Sequence, residues 1–148
     1  MKTSWLALAT AAAALTFAGL GIASSLETYK VSTKLVGSQE TPPNKSKGTG
    51  SFTGTVVEKR KSKTLTWKLT FKGLNGPATA AHIHVGKKGK AGNVIVPLCT
   101  PCKSGAHGSA KVTEAIVNAL EHHKAYANVH TAKYPNGEIR GQIAVKGS

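Results

Sequence analysis

Two histidines flank one isoleucine in the stretch AAHIHVGKKGKAG, residues 80–92. If this stretch is a strand, His82 and His84 point to one face, while Ile83 points to the other face and into the core. Two imidazoles about 7 Å apart along one strand face can bind a single metal ion. Because such a pair on a solvent-facing strand is more often without a ligand, it predicts a site only together with a third donor.

A third histidine, His130, lies in the stretch AYANVHTAKYPNGEIRGQIAV, residues 125–145. Residues 134–137 have the composition of a turn, so residues 125–131 and 138–145 are predicted to form a β-hairpin. Alternation of apolar and polar residues assigns two faces to this hairpin. The predicted core face consists of Ala127, Val129, Thr131, Ile139, Gly141, Ile143 and Val145, and the predicted outer face of Tyr126, Asn128, His130, Glu138, Arg140 and Gln142.

Arg140 is the second residue of interest in this hairpin. One register that keeps the two faces together places Arg140 directly beside His130. The chain has only one other arginine, Arg60, among its 20 basic residues. An arginine beside a candidate ligand suggests a role toward an anion, and the alternative is a plain cross-strand partner for Glu138.

The chain is strongly basic, with 20 Lys and Arg residues against six acidic ones and a formal net charge of +14. Such a charge favours polyanions, and the scarcity of arginine argues against nucleic acid, so anionic envelope or extracellular polymers are the expected partners. Glycines around Lys87, Lys88 and Lys90 predict an exposed loop that forms an electropositive, anion-binding rim beside the histidine pair. The alternative is an ordinary solvated basic surface.

The two cysteines, Cys99 and Cys102, lie in the stretch PLCTPCKSGAHGS. A redox-active pair needs a helix to begin there, whereas Pro101 and the two glycines that follow predict a loop. A zinc site would need a second pair of this kind. A structural disulfide is therefore predicted, and its small ring contributes only about 2 kcal/mol by limiting the unfolded chain.

The N-terminal residues 1–25 are predicted to be a secretory signal peptide. Lys2 precedes an uncharged stretch from Trp5 to Ile22, and Gly21 and Ala23, or Ala23 and Ser25, are the small residues that a signal peptidase needs before its cleavage site. The remaining residues, 26–148, then form a single domain that is secreted or periplasmic and has no transmembrane segment. The alternative is an uncleaved membrane anchor, because 18 apolar residues are near the lower limit for spanning a bilayer.

The rest of the chain predicts an all-β fold. Residues 28–37, 51–60, 64–73, 78–85 and 93–98 have the alternation or composition of strands, and turn signals recur about every ten residues. This spacing is typical of an antiparallel sandwich or barrel. One short helix is predicted at about residues 113–123, with Thr113 as its N-cap and with Ile116, Ala119 and Leu120 on one face. His122, His123 and Lys124 lie where cations suit its C-terminus.

Four stretches resemble the chordin (CHRD) domain: LVGSQETPPN, GTGSFTGTV, AAHIHVGKKGKAGNVIVPL and ALEHHKAYANVHTAKYPNGEIRGQI. They match its xLxGxQExPP opening, its HIH strand and its YxNVHTxxxPxGEIRGQ ending, and the resemblance covers residues 29–145. It implies an immunoglobulin-like β-barrel in a secreted or envelope protein, without a settled biochemical activity. The growth-factor role of animal chordin is not implied, because the chain lacks the cysteine-rich modules that serve it.

The order of a His-X-His strand, a later Val-His and an arginine in the last strand is also similar to copper-zinc superoxide dismutase. That similarity implies copper ligands at His82, His84 and His130, with Arg140 as the anion guide. The chain has no histidine in the place of the imidazolate bridge and contains no Asp. The similarity therefore implies copper without zinc. That the strands bearing His82 and His130 are neighbours is implied by the resemblance alone.

Three functions follow from these observations. The first is a non-catalytic binding module whose ligand is copper on three imidazoles, which suit that metal. The second is a copper-only enzyme resembling superoxide dismutase, in which Arg140 and the lysine loop attract an anion. The third is a basic protein that binds anionic envelope polymers. The missing bridge and zinc ligands favour the first, and no nucleophilic triad, carboxylate pair or phosphate loop is present.

The mature protein is expected to begin near Ser24 or Leu26 and to contain a Cys99–Cys102 disulfide, because export exposes both thiols to an oxidising compartment. Intact-mass measurement with and without reductant tests both statements. A mature mass that includes the first 20 residues would contradict the cleavage, and two free thiols would contradict the disulfide.

Overall fold

A computed structural model describes residues 26–146, so the predicted signal peptide lies outside the described residues. Within that range there are nine strands, one α-helix and one 3₁₀ turn, Gly37–Gln39. The strands are β1 Glu27–Val36, β2 Thr49–Lys59, β3 Ser62–Lys72, β4 Ala78–Val85, β5 Val94–Cys99, β6 Ala106–Lys111, β7 Ala125–Thr131, β8 Ile139–Gln142 and β9 Ala144–Val145. The helix, α1, is Glu114–Glu121 and lies between β6 and β7.

All strand pairs are antiparallel, in the order β5-β4-β7-β8-β1-β2-β3-β6, with β9 paired to β1. The two end strands, β5 and β6, contact each other, so the sheet closes into a nearly complete barrel. The all-β prediction with one helix is confirmed. In the described part of the chain, no helix is long and apolar enough to cross a membrane.

The core lies inside this barrel because the strands alternate. On β3, Leu65, Trp67 and Leu69 are buried, whereas Thr66 and Lys68 between them are exposed. One face of an antiparallel sheet thus packs on the core while the other meets solvent. Phe52, Val56, Ile83, Val129, Ile139 and Ile143 complete the same apolar cluster.

Helix α1 is shorter than predicted and presents a slightly different face. Thr113 caps it as expected, because its side chain accepts a hydrogen bond from the backbone N–H of Ile116. The helix ends at Glu121 because His122 is the C-cap and His123 adopts a left-handed backbone with φ of 56°. Val117 is buried in place of the predicted Ile116, which is only partly buried.

Two strand predictions need correction. The sequence AHGSAK predicts part of a loop because it is rich in small and polar residues, but it forms strand β6. It pairs with β3, where a side chain on Gly108 would lie 2.8 Å from the Trp67 ring. The predicted strand 138–145 is interrupted at Ile143, so β8 continues the pairing with β7 while β9 pairs with β1.

Glu138 is a buried carboxylate that ties three segments together. Its side chain accepts hydrogen bonds from Ser46 Oγ at 2.6 Å, from the Asn75 backbone and side-chain nitrogens at 2.8 Å, and from Thr131 Oγ1 at 2.7 Å. These donors lie before β2, after β3 and at the end of β7. Glu138 was predicted on the solvent side of the hairpin, but it is 0% exposed because these segments cover it.

Glu138→Gln is expected to reduce the free energy of unfolding at pH 7 by about 2 kcal/mol, the range for hydrogen bonds to a charged acceptor. Burial acts to raise the pKa of Glu138, but the hydrogen bonds outweigh it and lower the pKa below its ordinary 4.5. The unfolded state therefore binds the proton first, so this stabilisation is present above pH 4.5 and is lost as the pH falls through the folded-state pKa.

Urea unfolding at pH 7 and near pH 3.5 measures this effect, with exposed Glu121→Gln as the matched control. The difference between wild type and Glu138→Gln should shrink at the lower pH. Equal stability of the two proteins at pH 7 would contradict the role assigned to Glu138.

Candidate metal site

The pairing of β4 with β7 brings three histidines together. His82 lies opposite Asn128, and His130 lies opposite Ala80, so His130 is diagonal to His82 on the same face of the sheet. One nitrogen from each of His82, His84 and His130 lies within 4.8 Å of the other two. This is the one group of metal-binding side chains that residues 26–146 contain, and it includes no thiol or carboxylate.

Backbone carbonyls orient two of the three rings. His84 Nδ1 lies 2.9 Å from the carbonyl oxygen of Gly92, and His130 Nδ1 lies 2.9 Å from that of Pro135. Because a carbonyl oxygen only accepts, each Nδ1 carries the proton and each Nε2 is unprotonated, with a lone pair that can accept or bind a metal ion. His84 Nε2 is buried and has no hydrogen-bond partner among the described residues. A buried nitrogen of this kind is costly unless it receives a ligand.

The third ring turns its Nδ1 toward the same space. His82 Nδ1 lies 3.1 Å from His130 Nε2. Because His130 Nε2 is unprotonated, His82 Nδ1 donates in this hydrogen bond, and a shift of that proton to His82 Nε2 would free the Nδ1 lone pair for a metal ion. Nitrogens bound to one ion at 2.0–2.1 Å in tetrahedral geometry are about 3.3 Å apart, so the separations between the three nitrogens must shorten by up to about 1.5 Å for all of them to coordinate one ion.

The environment lowers the pKa of two of these rings, His82 and His130. Burial lowers the pKa of His82, and the nearby His130 and His84 lower it further. Burial also lowers the pKa of His130, which the hydrogen bond to Pro135 partly offsets. His84 and His130 are each 9% exposed, whereas His82 is more open and marks the accessible side of the group. Neutral imidazole is the form that binds a metal.

His84 belongs to a stack of three side chains, together with Tyr126 and Arg140. The Tyr126 ring lies parallel to His84, with an interplanar angle of 7° and centroids 4.9 Å apart. The guanidinium carbon of Arg140 lies 3.4 Å from the centroid of the Tyr126 ring. Planar stacking of arginine on an aromatic ring is a favourable cation–π contact, so the Arg140–Tyr126–His84 stack fixes the plane of one candidate ligand.

The predicted position of Arg140 is wrong in two respects. Asn128, not His130, lies opposite Arg140, because the backbone N–H of Glu138 donates to the carbonyl of Val129 and fixes a different register. Arg140 is also 2% exposed, and it donates to Thr41 Oγ1 and to the carbonyls of Lys87 and Lys90. Its donors therefore hold loops together.

The outer face of the hairpin, predicted to be solvent-exposed, is covered. Tyr126, Asn128 and His130 are all buried. The backbone N–H of Gly92 in the β4–β5 loop donates a hydrogen bond to the Tyr126 hydroxyl oxygen. The side-chain amide of Asn44 in the β1–β2 loop donates to the carbonyl of Glu138. Alternation predicts which side chains share a face, but it does not show that loops cover that face.

Glu40 lies in the same covered region and is 6% exposed. Burial raises the pKa of Glu40 to about 7, and the charge of Arg140 and the Asn128 side chain act to lower it. Arg140 therefore stabilises the charged form of Glu40 as well as the loop carbonyls.

The lysine loop and the cysteines lie beside this region. The side chains of Lys87, Lys88 and Lys90 are exposed, while the Lys87 and Lys90 carbonyls bind Arg140. Gly92 is required because any side chain there would overlap the Val85 carbonyl. The sulfur atoms of Cys99 and Cys102 lie at disulfide distance in the β5–β6 connection.

Three contributors to the site were not predicted from the sequence. The sequence predicts Tyr126 on the hairpin but not its role, because its stacking on His84 depends on the β4–β7 register. The carbonyls of Gly92 and Pro135 had no side-chain signal. Every residue has a backbone carbonyl, so only the folded loops show which carbonyls bond to the histidines.

These features define a class: an antiparallel β-barrel with a histidine group on two paired strands. The CHRD domain family model matches residues 31–143. The chain therefore belongs to the CHRD domain family. No curated protein and no solved structure matches the chain.

Arg140→Lys is expected to lower the free energy of unfolding by at least about 2 kcal/mol, because one ammonium group cannot reach Thr41 and both loop carbonyls while stacking on Tyr126. Thermal and urea unfolding measure the loss. Arg60→Lys, which changes the exposed second arginine in the same way, should have little effect. Equal stabilities of the two variants would contradict the structural role of Arg140.

Proposed function

We propose that the protein is an exported, non-catalytic binding module that holds one copper ion on His82, His84 and His130. The observation that carries this proposal is the convergence of their three nitrogens within 4.8 Å. Two further features support it: backbone carbonyls hold two rings with Nε2 unprotonated, and His84 Nε2 is buried without a partner in the described chain.

The donor set favours copper among biological metals. Three imidazoles without a thiol or carboxylate suit a borderline ion and offer little to Mg²⁺ or Ca²⁺, which prefer oxygen ligands. Copper also binds nitrogen ligands more tightly than the other divalent first-row metals. His82, the most accessible of the three, leaves one side open for an exchanging ligand.

A binding role is favoured over a dismutase-like enzyme. Anion guidance needs a cation whose donors point toward the metal, and the guanidinium of Arg140 is engaged by Thr41 and by loop carbonyls. An enzyme would have to rely on the exposed Lys87, Lys88 and Lys90 alone.

Export is part of the proposal. The predicted signal peptide of residues 1–25 precedes a domain whose two cysteines lie at disulfide distance. Disulfides persist mainly outside the reducing cytoplasm. We therefore assign the domain, residues 26–148, to the periplasm or the extracellular space.

Cu(II) titration of the metal-free protein, followed by electron paramagnetic resonance, tests the site. One equivalent should bind with nitrogen hyperfine structure. Each of His82→Ala, His84→Ala and His130→Ala should weaken binding by more than the roughly 10–100-fold that the loss of an outer-shell partner costs.

His107→Ala is the matched control, because His107 is exposed on β6 and outside the group. It should leave affinity and spectrum unchanged. Circular dichroism checks that the His82→Ala and His130→Ala proteins are folded. Electron paramagnetic resonance spectra that stay the same in both folded variants would overturn the proposal.

A further inference from the structure

The outer faces of β1, β2 and β3 form a groove of about 650 Å³, separate from the histidine group. Its basic residues come from three strands and from the segment that follows β9. They are Lys30, Lys34, Lys68 and Lys146, all exposed.

Strand register spaces these lysines over the groove. Ser32 on β1 lies opposite Thr53 on β2, which lies opposite Lys68 on β3. Lys30 and Lys34 lie two residues to either side of Ser32, so their Cα atoms are about 13 Å apart. Lys68 lies two strands away from Ser32, which is a distance of about 10 Å across the sheet. The charges are fixed on a sheet and are not clustered on a loop.

Carboxylates are segregated from this groove. Among the described residues that line it, none is acidic. The two ion pairs found within residues 26–146 both use Lys63, which pairs with Glu58 and Glu114. Those two carboxylates line a different cavity together with Glu27, which lies directly opposite Glu58. The groove lysines thus keep an uncompensated positive charge.

Hydroxyl groups fill the space between the lysines. Ser32, Ser51, Thr53, Thr55 and Thr66 all line the groove. Threonine is favoured in strands for conformational reasons, so these residues alone do not indicate a ligand. Together with unpaired ammonium groups, however, they provide neutral donors and acceptors beside fixed cations, which suits a ligand that carries both hydroxyl groups and anionic groups.

The groove lacks the features that recognise nucleic acid. It contains no arginine for bidentate contacts to bases. Its one aromatic residue, Trp67, is 8% exposed and packs against Gly108, so its ring offers no open face on which a base could stack. Charge complementarity without stacking or forked donors favours an anionic sugar polymer.

We propose that this groove binds an anionic polysaccharide through Lys30, Lys34 and Lys68. The ligand class is a sugar chain with repeated carboxylate or sulfate groups. This function is independent of the proposed metal site, since no groove residue belongs to the histidine group.

Titration of the protein with polygalacturonate and with dextran sulfate tests the proposal and separates carboxylate from sulfate ligands. The triple variant Lys30→Gln/Lys34→Gln/Lys68→Gln should weaken binding about tenfold, as expected for the loss of three exposed ion contacts. The matched control Lys87→Gln/Lys88→Gln/Lys90→Gln removes the same charge from the rival loop and should weaken binding less than about threefold.

Affinity at two salt concentrations, with uncharged dextran as a blank, shows whether binding is electrostatic. Equal losses in the two triple variants, which would indicate net charge alone, would overturn the proposal, as would the absence of binding to both polymers. So would tighter binding of a single-stranded oligonucleotide of matched charge. Single Lys68→Gln should itself weaken binding about twofold, and unchanged circular dichroism and thermal unfolding in every lysine variant show that the domain is intact.

Discussion

Antiparallel pairing of β4 with β7 is the contact on which the candidate site depends. It places His84 opposite Tyr126 and brings His130 diagonal to His82. Both strands lie in the middle of the sheet order, between β5 on one side and β8 on the other, so neither can slip without disturbing a second ladder. A shift of one residue would turn Ile83 outward and move the histidines into the core. The hydrophobic pattern therefore fixes the position of the imidazoles.

Two buried charged side chains then convert an exposed sheet face into a covered site. Glu138 gathers the segments around Ser46 and Asn75, and Arg140 gathers the β4–β5 loop through its carbonyls. Buried charges are tolerated only when their hydrogen bonds are satisfied, so these residues also specify which loops pack there. The result is a low-dielectric surrounding for His130 and an ordered stack behind His84.

The sequence predicted the strands more reliably than the contacts between them. Period-two alternation and turn residues located β4 at 78–85 and β7 at 125–131, with the same bounds as in the structure. The composition of β6 does not predict a strand, because its pairing depends on Trp67 packing over Gly108. Which histidines share a face followed from alternation, but the register of β7 with β8 did not. This register depends on the geometry of the turn and on Glu138 contacts with residues 63 and 92 positions away.

Anomalous diffraction at the copper edge, from crystals grown with one equivalent of Cu(II), locates the bound ion. We expect one strong anomalous peak bonded to nitrogens of His82, His84 and His130, with the His84 and His130 Nδ1 atoms still hydrogen-bonded to the Gly92 and Pro135 carbonyls. Peaks only at exposed histidines such as His107, His122 or His123, with none between the three rings, would contradict this expectation.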